Sequence, residues 1–146
     1  MNEFELGQSL GYLVNKSSSI MRICLNKEFS RRNIKASAER WGILNIVKAC
    51  PGLTQSEIAM RSFKDKTNVT RMLNVLEKHG HIERRENSND KRTYNIYITD
   101  KGTMLLEQLI PIVMSMNAAA YKNFTPNEMK QLHFLLNKLL DTITGQ

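Results

Sequence analysis

The chain has 146 residues, 41% hydrophobic and 24% charged, which is ordinary globular composition and enough length for one domain with a real core. Its formal charge of +7 and pI near 9.6 favour a polyanionic partner, nucleic acid or an anionic membrane surface. Two cysteines, far apart and without metal-ligand company, exclude a disulfide framework and point to a reducing compartment, hence the cytoplasm. No long apolar run offers a membrane span. The start, Met1-Asn2-Glu3-Phe4-Glu5, is acidic and unlike a signal peptide.

The first helix is expected over about residues 5–30. Leu6, Leu10, Leu13, Ser17, Met21, Cys24 and Leu25 keep close to one stripe, with Val14 and Ile20 beside it. Such a helix is long for packing on one small domain. It reads either as half of a dimer arm or as a long core helix of its own subunit. Ser37 then caps a helix carrying Trp41, Ile43, Leu44 and Val47, which stops near Ala49-Cys50 before Pro51-Gly52. Trp41 reads as core.

Thr54-Gln55-Ser56-Glu57 is a capping box, and Leu53 with Ile58 has the spacing of a hydrophobic staple. A short helix over residues 55–61 comes next, with a break at Ser62-Phe63-Lys64 and a second helix starting near Asp65. In that second helix Val69, Met72, Leu73 and Leu76 form an apolar stripe. Thr67, Thr70, Arg71, Asn74 and Lys78 share the opposite face, with no acid among them. Hydroxyl, amide, guanidinium and ammonium groups are those that bond phosphate oxygens and base edges. Gly80 is a left-handed helix stop. Helix-turn-helix is the pattern this pair fits. Polar faces are also the rule for surface helices, so the residues after Gly80 decide the reading.

Those residues form a hairpin. Residues 82–85 and 93–98 read as strands, the second by alternation of Tyr94, Ile96 and Ile98 with Thr93, Asn95 and Tyr97. Asn87-Ser88-Asn89-Asp90 is turn chemistry. Arg84, Arg85, Lys91 and Arg92 cluster about it, as in a wing reaching a narrow, negative minor groove. Thr99 caps a further helix to about Tyr121, with Leu105, Leu109, Ile112, Val113 and Met116 as its stripe and Pro111 as a local bend. Thr125-Pro126-Asn127-Glu128 is a second capping box, with Phe124 and Met129 as its staple. The last helix carries Met129, Leu132, Leu135, Leu136, Leu139, Leu140 and Ile143 on one wide face. The expected class is mainly α with a small β-hairpin wing (α+β). A winged helix-turn-helix over about 37–99 is flanked by helices over about 5–30 and 102–144, in a single domain 1–146.

Asn89-Asp90-Lys91-Arg92, and the strand ending Ile98-Thr99-Asp100-Lys101-Gly102, resemble the wing of the multiple antibiotic resistance regulator (MarR) family. That family has an Asp-x-Arg pair in the wing and a Leu/Ile-Thr-x-x-Gly lead into the next helix; the order of elements matches over nearly the whole chain. The resemblance implies a homodimeric winged-helix regulator on double-stranded DNA, with a palindromic operator, no membrane partner and no cofactor. It further implies control by a small-molecule effector or by oxidation. Candidate DNA-binding residues are Lys66, Thr67, Asn68, Thr70, Arg71, Asn74, Lys78, Arg84, Lys91 and Arg92. Arg71 is the best guanine reader, Lys66 and Lys78 are phosphate contacts, and Asp90 holds Arg92 in place. Candidate dimerisation residues are Leu6, Leu10, Leu13, Leu132, Leu136, Leu139 and Leu140.

Effectors in the family often bind between the winged unit and the dimer arms, where Tyr12, Trp41, His79 and the methionines are candidates; core is the simpler reading of each. Redox-sensing members use a cysteine near the start of the first helix. Here Cys24 lies well into it and Cys50 ends another, so oxidation is the weaker trigger. An enzyme finds no support: His79, His81 and His133 lack ligand spacing, and there is no phosphate loop or nucleophile elbow. His79 and His81 read as exposed turn residues. A protein-interaction winged helix that never binds DNA is the remaining alternative, and the basic helix face and wing argue against it.

Overall fold

The computed structural model describes residues 5–145; the acidic Met1–Phe4 stretch lies outside them. Two compact units are distinguished, Met1–Ile112 and Val113–Gln146.

In the first unit a 3-10 turn, Leu6–Gln8, precedes α1, Leu10–Arg31. The expected helix from residue 5 is therefore interrupted at Ser9. The reason is capping: Ser9 is extended, and its hydroxyl accepts the Tyr12 N–H at 3.5 Å. Along α1 only Leu25 and Phe29 are buried; Leu10, Leu13, Val14, Ile20 and Ile23 are exposed. Asn26 on α1 accepts the Ala38 N–H at 2.8 Å, and Ser37 accepts that of Arg40 at 3.2 Å. Together they start α2, Ala38–Ala49.

A two-residue strand, β1 (Leu53–Thr54), leads into α3, Gln55–Ser62. The capping box at Thr54 and Glu57 is present in both directions. Phe63 closes α3 in the left-handed region, φ 53°, and α4 runs Lys66–Lys78 with Asp65 as its cap. The wing is β2, Ile82–Glu86, and β3, Tyr94–Ile98. The three strands are antiparallel in the order β1-β3-β2. Leu53 pairs with Ile96, and Ile82 with Ile98. The sequence pattern misses β1 because two residues show no alternation.

The core is one cluster from α2 (Ile43, Leu44, Val47), α3 (Ile58, Ala59), α4 (Val69, Leu73, Leu76), the sheet (Ile82, Ile96) and Leu106. Trp41 and Met72 pack half-buried against it. In α5, Asp100–Tyr121, the buried hydrophobic side chains of this unit are Leu106, Leu109 and Ile112. Leu105, expected on the stripe, is half-buried. The phase is set by Gly102, four residues before Leu106. Among the described residues α5 alone is long and apolar enough to cross a membrane, with a mean hydropathy of 1.2 over its best 18 residues. Glu107 and Gln108 interrupt it, which is why the expectation of no long apolar run passes over this helix. Of its buried side chains, Leu106 belongs to the core cluster.

The start of α5 explains the Ile-Thr-x-x-Gly spacing. Thr99 donates its hydroxyl to the Gly80 carbonyl at 2.6 Å and accepts the Gly102 N–H at 3.1 Å. The Thr99 N–H donates to the His81 carbonyl at 3.1 Å. Helix α5 is thereby pressed onto the turn after α4, and a Cβ on Gly102 would lie 2.1 Å from the His81 oxygen. His81 is correspondingly half-buried rather than an exposed turn residue, with Nδ1 sealed and unpartnered. Burial, then the positive charges of His79, Lys101 and Arg40, hold its pKa below the usual histidine range.

The second unit contains α6, Pro126–Thr144, started by the Thr125–Glu128 capping box and ended by Gly145 at φ 71°. No residue of α6 is buried. Leu132, Leu135, Leu136, Leu140 and Ile143 are all exposed.

Gly102→Ala is expected to lower the urea midpoint by an amount corresponding to at least the roughly 1–3 kcal/mol of an overpacked site, because the clash is with backbone. An unchanged midpoint would contradict the close approach of α5 to His81.

Candidate nucleic-acid interface

Helix α4 is presented by what it buries. With Val69, Leu73 and Leu76 sealed inside, helical geometry puts Thr67, Thr70, Arg71, Asn74 and Lys78 outside. These five, with Val75, line one shallow surface concavity. Lys66 lies exposed in the first turn of α4.

Several of these groups are held rather than loose. Asp65 caps α4 by accepting the Asn68 backbone N–H at 2.9 Å, and its other oxygen accepts the Asn68 amide at 2.5 Å. Asn68 Oδ1 in turn accepts from Arg71 Nη2 at 2.7 Å. An exposed chain thus runs from the helix cap to the candidate guanine reader. Thr70 donates to the Lys66 carbonyl at 2.7 Å and accepts from Gln55 of α3. Its only proton is therefore used inside the protein, which leaves Thr70 less to offer than Thr67.

Arg84 is placed differently from the exposed cation expected of it. Its side chain is 17% exposed and paired with Glu77 of α4, and Nη2 donates to Asn74 Oδ1 at 2.8 Å. It ties strand β2 to α4. Arg85 lies 4.3 Å over the Tyr97 ring and pairs with Glu83.

The wing tip is built by side chains folding back on backbone. Asn87 Oδ1 accepts the N–H groups of Asn89 and Asp90 at 2.8 and 3.2 Å, and Asn87 Nδ2 donates to Asn95 at 2.8 Å. Asp90 Oδ1 accepts the backbone N–H and Nε of Arg92 at 3.0 and 3.3 Å. This is the pairing expected of the Asp-x-Arg motif. Arg92 remains 92% exposed at its side chain, and Lys91 is exposed beside it. Arg92 and Arg84 also line a second concavity with Thr54, Gln55, Ser56 and Tyr94.

The sequence pattern does not single out Gln55 or Glu77. Gln55 carries a signal, being the first residue of a short helix that must cross another. Glu77, seven residues before Arg84, carries none without the hairpin's geometry. Among the other candidates, Leu6, Leu10 and Leu13 near the N-terminus are exposed, as are Leu132, Leu136 and Leu140 on α6; Leu139 is half-buried. A third concavity, between α1, α2 and α3, is lined by Arg22, Glu39, Gly42, Ile46, Ser62 and Lys64 among others, and not by Tyr12, Trp41 or His79.

A short helix, a second helix with a cationic outward face, and a basic hairpin define a winged helix-turn-helix. Residues 37–94 match the MarR family model. The multiple antibiotic resistance protein MarR of Escherichia coli is 30% identical over 132 residues, covering 90% of each chain. The chain is a member of the MarR family. The transcriptional repressor MprA of E. coli is 33% identical over 88 residues, 60% of this chain. This chain thus spans only about half (50%) of that relative's length. Among solved structures, a cysteine-to-serine mutant of MarR from E. coli complexed with operator DNA superposes with a TM-score of 0.83 at 28% identity, covering 96% of this chain and 99% of that one.

The cap of α4 carries a pH signature. The Asn68 backbone N–H holds the Asp65 carboxyl below its ordinary 3.8. A depressed carboxyl contributes stability above its unfolded pKa and loses it as pH falls through the folded one. The unfolding midpoints of wild type and Asp65→Ala should therefore differ at neutral pH and converge in acid below 3.8. A gap independent of pH would contradict the capping role.

Proposed function

We propose that this chain is a cytoplasmic, sequence-specific transcriptional repressor rather than an enzyme. It binds a palindromic operator as a homodimer, and a small-molecule effector releases it. The observation that carries the reading is the outward face of α4. Thr67, Thr70, Arg71, Asn74 and Lys78 form one continuous surface without an acid in it; of the carboxylates on α4 and at its cap, Glu77 is paired with Arg84 and Asp65 is engaged in capping the helix and holding the Asn68 amide. Membership of the MarR family supports it, as does the likeness to a relative solved with operator DNA.

In this mechanism α4 enters the major groove. Thr67, Asn68, Thr70, Arg71 and Asn74 lie near base edges or adjacent phosphates. Arg71 offers a guanine its fork of donors, and Lys66 and Lys78 meet phosphate. The wing carries Lys91 and Arg92 to the backbone or the minor groove, while Asp90 holds the Arg92 guanidinium in place. Arg84 acts by holding the wing strand to α4, and it reaches DNA only from its half-buried position. A two-fold dimer would set the two α4 helices about 34–36 Å apart, one turn of DNA.

Dimerisation is assigned to the helices over about 5–30 and 102–144, outside the winged unit over about 37–99. The support is exposure: Leu6, Leu10 and Leu13, and separately Leu132, Leu136 and Leu140, leave apolar side chains in water, with Leu139 beside them. An obligate interface resembles a core cut in half. The effector's support is the family alone. Cys24 and Cys50 are free thiols, exposed and half-buried, and neither occupies the start of α1, so oxidation is set aside.

Arg71→Ala should cost about 1–3 kcal/mol of binding and relax base preference at one position per half-site, whereas Lys78→Ala should weaken all sequences alike. Binding isotherms on a selected operator and its single-base variants read both. An equal loss on every sequence for Arg71→Ala would remove its base-reading role.

A further inference from the structure

Resting on the major-groove reading above, the hydrogen bonds behind α4 decide what its asparagines can say to a base. A free asparagine offers an acceptor and a donor side by side, the pair that matches adenine N6 and N7. Asn74 is not free. Arg84 Nη2 donates to its Oδ1 at 2.8 Å. A guanidinium has donors only, so the carbonyl end of the amide must face Arg84, however the amide is drawn. Asn68 is fixed at both ends by the same logic. Its carbonyl faces the Arg71 guanidinium at 2.7 Å and its amino group faces the Asp65 carboxylate at 2.5 Å.

Arg84 is itself anchored. It is largely covered, and Glu77 holds its Nη1. The Asn74 carbonyl is therefore turned toward Arg84 on the protein side, which turns its amino group the other way, while Asn74 itself lines the open concavity with Arg71 and Lys78. We infer that Arg84 is a specificity-positioning residue: by turning the Asn74 carbonyl toward itself it presents the amino group, and not the side-by-side acceptor and donor, to the major groove, so a purine under Asn74 is read as guanine and not as adenine. Guanine presents O6 and N7, both acceptors, to that donor. Adenine would meet it with N7 alone and leave its N6 amino group without an acceptor.

The test uses the full-length protein and an operator selected from a random duplex pool, with every single base pair then varied. Wild type, Asn74→Ala and the double variant Glu77→Gln/Arg84→Met are compared; the double change avoids stranding the Glu77 carboxylate. Asn74→Ala should flatten preference at one base pair per half-site. With a purine under Asn74, wild type should favour guanine over adenine by roughly tenfold, within the range of a good base contact. The double variant should move that pair toward A·T and leave the others alone, a shift that mere loosening of the fold would not produce.

A wild-type preference for adenine under Asn74, no position sensitive to Asn74→Ala, or an unchanged preference in a folded double variant would each overturn the inference while leaving DNA recognition standing. If melting shows the double variant unfolded, the wild-type and Asn74→Ala results decide. If no palindrome is enriched, the inference and the function it rests on fall together.

Discussion

Val69, Leu73 and Leu76 are sealed in the core on one side of α4, and the site depends on that contact. Burying each is worth roughly 1.5–3 kcal/mol, far more than any surface contact the helix makes. With α2, α3 and β2 packed against it, α4 cannot roll, so its other face is fixed outward. The polar residues of that face contribute little to holding the helix. They are there to be presented.

The second constraint is where the chain goes next. The turn at Gly80, φ 75°, and the Thr99 hydroxyl on its carbonyl hold the end of α4, the root of the wing and the start of α5 together. Exposed ion pairs are individually worth about 0–1 kcal/mol, so Asp90–Arg92 is better understood as geometry than as stability. It keeps a fully hydrated guanidinium from wandering. Arg84–Glu77 differs because the arginine is mostly covered. There the pair joins sheet to helix, and the wing and α4 answer to the same arginine.

Much of this is legible in the sequence, for local reasons. Capping boxes at Thr54 and Thr125 need only neighbouring residues, and both are present in the structure. The period of Val69, Met72, Leu73 and Leu76 determines which face of α4 looks out. The wing declares itself by alternation and turn chemistry. The illegible parts depend on contacts distant in sequence. Strand β1 exists only through its pairing to Ile96 and Asn95. The stripe of α5 is legible at Leu109, Ile112 and Val113, whereas the burial of Leu106 beside the half-buried Leu105 is not, because it goes with the close approach of Gly102 to the His81 carbonyl. Arg84 looks like a free cation until the hairpin folds it onto Glu77 and Asn74. Ser9 breaks a helix whose apolar stripe runs straight through it, because its hydroxyl caps α1 there.

The central claim is that a dimer neutralises phosphates through two copies of this face. It is tested most directly by sedimentation of the full-length protein on a selected palindromic duplex across a salt series. The account predicts two protomers per duplex and a steep linear fall of log affinity with log salt, at about 0.9 per phosphate contact. One protomer per duplex, or an affinity indifferent to salt, would contradict it.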